Sequence, residues 1–110
     1  MPTYLVTKRL KITRQSGDDF DVVIHIPELF PTENTSFKFG IFDKKNSNKL
    51  LIQKESPTVT TSGQTITVPF SKPETINRYG SYVWELEAIK DGKTSTIGMG
   101  DFELVQTLIS

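Results

Sequence analysis

A chain of 110 residues without a single cysteine excludes a disulfide framework and a thiolate metal site, while its length suits one domain burying about two thirds of its unfolded surface. Thirteen basic residues balance thirteen acidic ones, which argues against the broad positive field of a nucleic-acid binder. No apolar run reaches the roughly 20 residues of a membrane span, and Met1 to Arg9 holds none long enough for a signal peptide. The lack of cysteine fits a chain made in a reducing bacterial cytoplasm, although many secreted bacterial proteins lack cysteine too.

Two-residue periodicity dominates the pattern. Residues 1–9 read as an arm leading into the first strand, which begins where Leu10 and Ile12 alternate with Arg9 and Lys11. Lys8, Arg9, Lys11 and Arg14 read as a solvated outer face of that strand, or as a patch facing an acidic neighbour. Ser16-Gly17-Asp18-Asp19 is a turn. Phe20, Val22, Ile24 and Ile26 then share one face, until Pro27 ends the strand because it has no N–H for a ladder. A connection bracketed by Pro27 and Pro31 carries Leu29 and Phe30.

Phe37, Phe39 and Ile41 form the next inward face, and a polar turn over 44–48 leads to Leu50 and Ile52 in the partner strand. Val59 on one side and Ile66 and Val68 on the other flank Thr61-Ser62-Gly63, a hairpin with a glycine turn. Ser71, an early Pro73 and Glu74 predict one helical turn. Tyr82, Trp84, Leu86 and Ala88 give the heaviest inward face, opposed by Val83, Glu85, Glu87 and Ile89, and Asp91-Gly92 closes a tight hairpin. In the last strand Ile97 and Met99 are odd whereas Phe102 and Leu104 are even, which predicts a bulge at Gly98-Met99-Gly100. The whole reads as an all-β, immunoglobulin-like antiparallel sandwich of about seven to eight strands over residues 10–105, with 106–110 as a tail.

No catalytic constellation emerges. His25 is the only histidine and projects from the polar side of its strand, without a nucleophile motif to serve. Glu85 and Glu87 stand about 6.6 Å apart by strand rise, compatible with a glycosidase pair, although two such glutamates are also an ordinary solvated strand face. Asp18, Asp19 and Asp21 could serve calcium but suit a turn equally well. Asn34-Thr35-Ser36 fits a glycosylation sequon that matters only in a secreted chain. Trp84 is in phase with the core, and Tyr79 or Tyr82 suits the corner tyrosine of such sandwiches. No metal or cofactor is expected.

Several stretches carry a family likeness. Arg14 to Ile24, Ile66 to Ser71, Glu74-Thr75, Tyr79 to Glu87, Asp91-Gly92-Lys93 and Gly100 to Val105 resemble the opening hairpin and late strands of small immunoglobulin-like domains in phage virion proteins. The N-terminal domain of upper baseplate proteins from phages of Gram-positive bacteria is a known relative. Pro27 to Ser36 departs from that pattern, and such relatives continue into further domains whereas this chain stops soon after the last strand. The resemblance implies a non-enzymatic virion protein: an auxiliary subunit decorating the capsid and stabilising its subunit junctions, with a tail or baseplate adaptor as the alternative. Its implied partners are the major capsid protein or tail and baseplate subunits, or further copies of itself, and neither nucleic acid nor membrane. A carbohydrate-binding or adhesion module is the reading from another class. The residues expected to meet partners are Tyr4, Leu5, Val6, Lys8, Arg9, Leu29, Phe30, Leu108 and Ile109.

Overall fold

Alternation builds the smaller of two sheets first. The computed structural model describes residues 11–26, 32–46 and 49–106, so Leu10 and Pro27 lie outside the described residues. Strand β2 (Phe20–His25) pairs antiparallel with β6 (Thr65–Phe70), setting Val22 opposite Val68 and Ile24 opposite Ile66. All four are buried, as is Ile26 just past the strand. A turn at Gly63, with φ of +59°, joins β6 to the three-residue β5 (Thr60–Ser62). Thr61 and Ser62 therefore belong to the strand rather than to the turn.

The larger sheet has the order β1-β8-β7-β3-β4. Its strands are β1 (Ile12–Gln15), β3 (Ser36–Asp43), β4 (Leu50–Glu55), β7 (Gly80–Lys90) and β8 (Lys93–Val105). Phe37, Phe39 and Ile41 face Trp84, Leu86 and Ala88 along the inner side of β3 and β7, all buried. Asp91 (φ +53°) and Gly92 (φ +74°) turn β7 into β8; positive φ at both central residues matches the right-handed twist of the strands it joins. The eight described strands form an immunoglobulin-like sandwich.

Three expectations are corrected. First, β1 runs parallel to β8, with Ile12 opposite Phe102; the remaining pairs are antiparallel. The turn at residues 16–19 thus carries the chain from one sheet to the other and closes no hairpin. Second, the β8 bulge falls at Ile97, the residue left over between the pairs Leu86–Gly98 and Glu87–Thr96. Ile97 and Gly98 are consecutively buried while Met99 faces out. Beside the bulge Gly98 lies against Trp84: a Cβ on it would stand 3.2 Å from Cη2 and Cζ3 of the indole, so any larger residue would have to displace the ring. Third, Arg14 leaves the outer face and lays its guanidinium over the Phe20 ring at 5.9 Å.

The core joins both sheets through rings. Trp84 stacks on Phe39 at 5.7 Å, Phe39 meets Phe70 edge-on at 5.9 Å, and Phe70 stacks on Phe20 at 5.1 Å. Such pairs contribute about 0.5–1.5 kcal/mol beyond their area. The short helix α1 (Lys72–Thr75) forms as expected: Glu74 Oε1 accepts the Ser71 N–H at 2.8 Å. Its buried Thr75 accepts from the Ser16 hydroxyl at its carbonyl (2.7 Å) and from the Gly17 N–H at Oγ1 (2.9 Å). Lys54 reaches across from β4 to pair with Glu74, with its ammonium 5.4 Å from the Phe70 ring centroid.

Candidate functional site

The same alternation that buries one side of β3 and β7 leaves the other side outward. In register across the larger sheet, the rows read Leu50–Phe42–Val83–Asp101, Gln53–Gly40–Glu85–Met99 and Glu55–Lys38–Glu87–Thr96. Leu50 is 44% exposed and Met99 37%, and Phe42 and Val83 are half-buried between them. An irregularity at Leu51 brings Leu50 opposite Phe42. Lys44 and Asp101 form an ion pair at one rim (3.6 Å), and Lys11 and Glu103 another (3.8 Å).

At the centre lies a shallow open depression of about 120 Å³, lined by Lys38, Gly40, Phe42, Leu50, Gln53, Glu85 and Glu87. Gly40 creates it. A Cβ there would come within 2.9 Å of Phe42 Cε1 and 3.2 Å of Leu50 Cδ1, because both side chains lean over the bare backbone. Glycine in a strand interior commonly marks such a close approach. The depression thus has an apolar wall, Phe42 and Leu50, and a carboxylate wall, Glu85 and Glu87. Glu85 Oε1 accepts a long hydrogen bond from the Thr96 hydroxyl at 3.4 Å.

Of the residues weighed in the sequence, Glu85 and Glu87 line the depression, and the others described stand elsewhere or in framework roles. His25 is exposed on the smaller sheet, its Nδ1 3.1 Å from Thr65 Oγ1. Asp19 Oδ1 accepts the Lys72 N–H at 2.7 Å, so it ties the β1–β2 turn to α1. Asp21 stands in β2. Among the described residues no cluster of three or more His, Cys, Asp or Glu could hold a metal ion. Trp84 is 1% exposed. Tyr82 is the tyrosine that bonds back along the chain, donating to the Tyr79 carbonyl at 3.3 Å. Burial alone raises the Glu74 carboxyl, but Lys54 and the Ser71 N–H and hydroxyl outweigh it and hold the group below its ordinary value. Tyr4, Leu5, Val6, Lys8, Arg9, Leu29, Phe30, Leu108 and Ile109 all lie outside the described residues.

Sequence reasoning passed over Lys38, Gly40, Phe42 and Gln53. The signal was there: a glycine between two outward residues in a strand whose odd positions are Phe37, Phe39 and Ile41.

No protein-family model and no curated protein matches the chain. Among solved structures, it is similar to part of the Group B Streptococcus pullulanase SAP, with 16% identity and a TM-score of 0.55. That match covers 86% of this chain but 12% of the pullulanase, so this chain spans about one eighth of it. The same enzyme in complex with maltotetraose matches at 18% identity and a TM-score of 0.53, over 86% of this chain and 11% of that one. CopC from Methylosinus trichosporium OB3b matches over nearly its full length, covering 96% of this chain and 95% of CopC at 18% identity and a TM-score of 0.55. The NK cell receptor NKp44 matches at 16% identity and a TM-score of 0.52, over 92% of this chain and 100% of the receptor. At these identities the likeness is one of fold.

Proposed function

We propose that this domain is a non-enzymatic docking module, working in a bacteriophage particle as an auxiliary subunit on the capsid surface. The observation that carries the docking reading is the outer face of the larger sheet, where Leu50, Phe42, Val83 and Met99 meet carboxylates on a rigid two-sheet frame. Exposed apolar area with a polar surround is a common mark of an interaction surface. The phage setting is supported by the sequence resemblance over Ile66 to Ser71, Tyr79 to Glu87 and Gly100 to Val105. In such a particle the subunit would bury this face across subunit junctions and stabilise the shell by mass action. Many copies on one lattice would make modest contacts persistent. A tail or baseplate adaptor would use the same face.

Mass spectrometry and electron microscopy of particles purified from the genome encoding this chain test the reading. The expected result is density for the sandwich with its larger sheet against a neighbour, lost when Leu50→Asp and Met99→Lys are combined. Absence of the chain from the particles ends the virion reading.

The likeness to a stretch of a pullulanase favours one other reading, a carbohydrate-binding module. Such sites usually present aromatic platforms, and Trp84 is consumed by the core while Tyr79, 50% exposed, stands at the end of the sandwich. Calorimetric titration with maltotetraose discriminates: heat of binding that Tyr79→Ala abolishes would favour this module over the virion subunit.

A further inference from the structure

We infer that the depression floored by Gly40 receives a cationic side chain with a long apolar stem, an arginine or lysine of a partner protein. The inference rests on the outer face of the larger sheet being a protein-docking surface, and it names the chemistry at that surface's centre. The size, the walls and the charge each point the same way. A depression of about 120 Å³ suits one long side chain rather than a helix or a folded loop. Phe42 and Leu50 supply an apolar wall for methylene groups, and long basic side chains bury their stems along such surface. Glu85 and Glu87 supply acceptors on the opposite wall, with Gln53 between.

Charge complementarity settles the sign of the guest. Lys38 is the only cation in the lining, against Glu85 and Glu87, and Glu55 adds a third carboxylate as its other cross-strand neighbour. No ion pair within 4 Å joins the Lys38 ammonium to the carboxylate of either cross-strand neighbour, Glu55 or Glu87. The carboxylates therefore remain available to a second cation, whereas an anionic guest would face like charge. The fold already pairs these elements internally: the Lys54 ammonium lies 5.4 Å from the Phe70 ring centroid and pairs with Glu74, and Arg14 lies over Phe20. Phe42 with Glu85 and Glu87 repeats that combination on the outside, with the cation still to come. A cation beside an aromatic ring and a carboxylate gains from both.

The test is an amide-resolved NMR titration of the whole chain with the capped tripeptide acetyl-Ala-Arg-Ala-amide, and with its norleucine and glutamate counterparts. The expected result is fast-exchange shifts at Gly40, Phe42, Gln53, Glu85 and Glu87 with an affinity on the order of millimolar. Norleucine should bind at least about threefold more weakly and the glutamate peptide not at all, because only the arginine peptide satisfies the carboxylates. Glu85→Gln combined with Glu87→Gln should weaken arginine binding about tenfold, as loss of charge-assisted bonds requires. Should that variant unfold, Gln53→Lys, an exposed change at the rim, should weaken binding by repulsion. No shifts at these amides, or equal shifts with norleucine, overturns the inference whatever particles show. Arginine-specific shifts in a chain that virions do not retain uphold the cation site and overturn the virion reading alone.

Discussion

The two outer faces of this sandwich are made by the same alternation but are left with different chemistry. On the three-stranded sheet the outward row is Asp21, Val23 and His25 beside Pro69, Thr67 and Thr65, with Thr60 and Ser62 beyond. Hydroxyls dominate there and are content in water, and Val23 is the one large exposed hydrophobic residue among them. On the five-stranded sheet Leu50, Phe42, Val83 and Met99 share the surface with Glu55, Glu85, Glu87 and Lys38. The difference teaches that burial of one side of a sheet says little about the other. Both sheets feed the core, yet the outer face of the larger one gathers several apolar residues around a depression, whereas the smaller one exposes Val23 as its one large hydrophobic residue.

The comparison can be strained first from inside, where both faces share one support. Trp84→Ala removes the ring that stacks on Phe39 and abuts Gly98. It is expected to lower stability by about 3–5 kcal/mol, read by urea denaturation, and to weaken both sheets together. Gly98→Val drives a side chain against the indole from the other side and should cost about 1–3 kcal/mol in the same measurement. A Gly98→Val protein as stable as the parent would show that the indole gives way without cost.

The joint between the sheets offers a milder lever. Glu74 has a folded-state pKa below its ordinary value, so its pairing with Lys54 stabilises fully above the ordinary carboxylate value of about 4.3. That stabilisation is lost as pH falls through the lowered folded value, because the unfolded chain then binds its proton more readily. Glu74→Gln should therefore cost about 1 kcal/mol at neutral pH and flatten the fall in stability below pH ~4, as followed by denaturation at several pH values. A parallel loss at every pH would place the cost in the helix cap.

Changes on the faces themselves should leave stability within about 0.5 kcal/mol while separating the faces by binding. Leu50→Asp should abolish retention on particles, whereas Val23→Asp on the smaller sheet should leave it intact. Equal loss from both would erase the distinction. The smallest effect is expected at the rim: Lys44→Gln breaks an exposed pair with Asp101, and such pairs contribute about 0–1 kcal/mol.

Much of the fold was legible because side-chain alternation and turn chemistry are local. Phe20 to Ile26, Phe37 to Ile41 and Tyr82 to Ala88 announce their buried faces, and Asp91-Gly92 announces its turn. The outer face of the larger sheet was not legible in the same way. Phe42, Leu50 and Met99 are ordinary strand residues until the registers of β3, β4, β7 and β8 bring them together. Leu50 sits opposite Phe42 only because the ladder slips at Leu51, and Met99 faces out only because Ile97 is bulged. Register is a non-local property, decided by which residues pack across the sheet.

By itself, then, the sequence determined an all-β sandwich, its core positions and its turns, since each depends on neighbours a few residues away. Tertiary structure alone decided that β1 runs parallel to β8, that the first turn crosses between sheets and that Arg14 lies on Phe20. It also decided that Gly40, with Phe42 and Leu50 on one side and Glu85 and Glu87 on the other, forms one depression. Those residues are as many as 47 positions apart in the chain, and only pairing between strands sets them side by side.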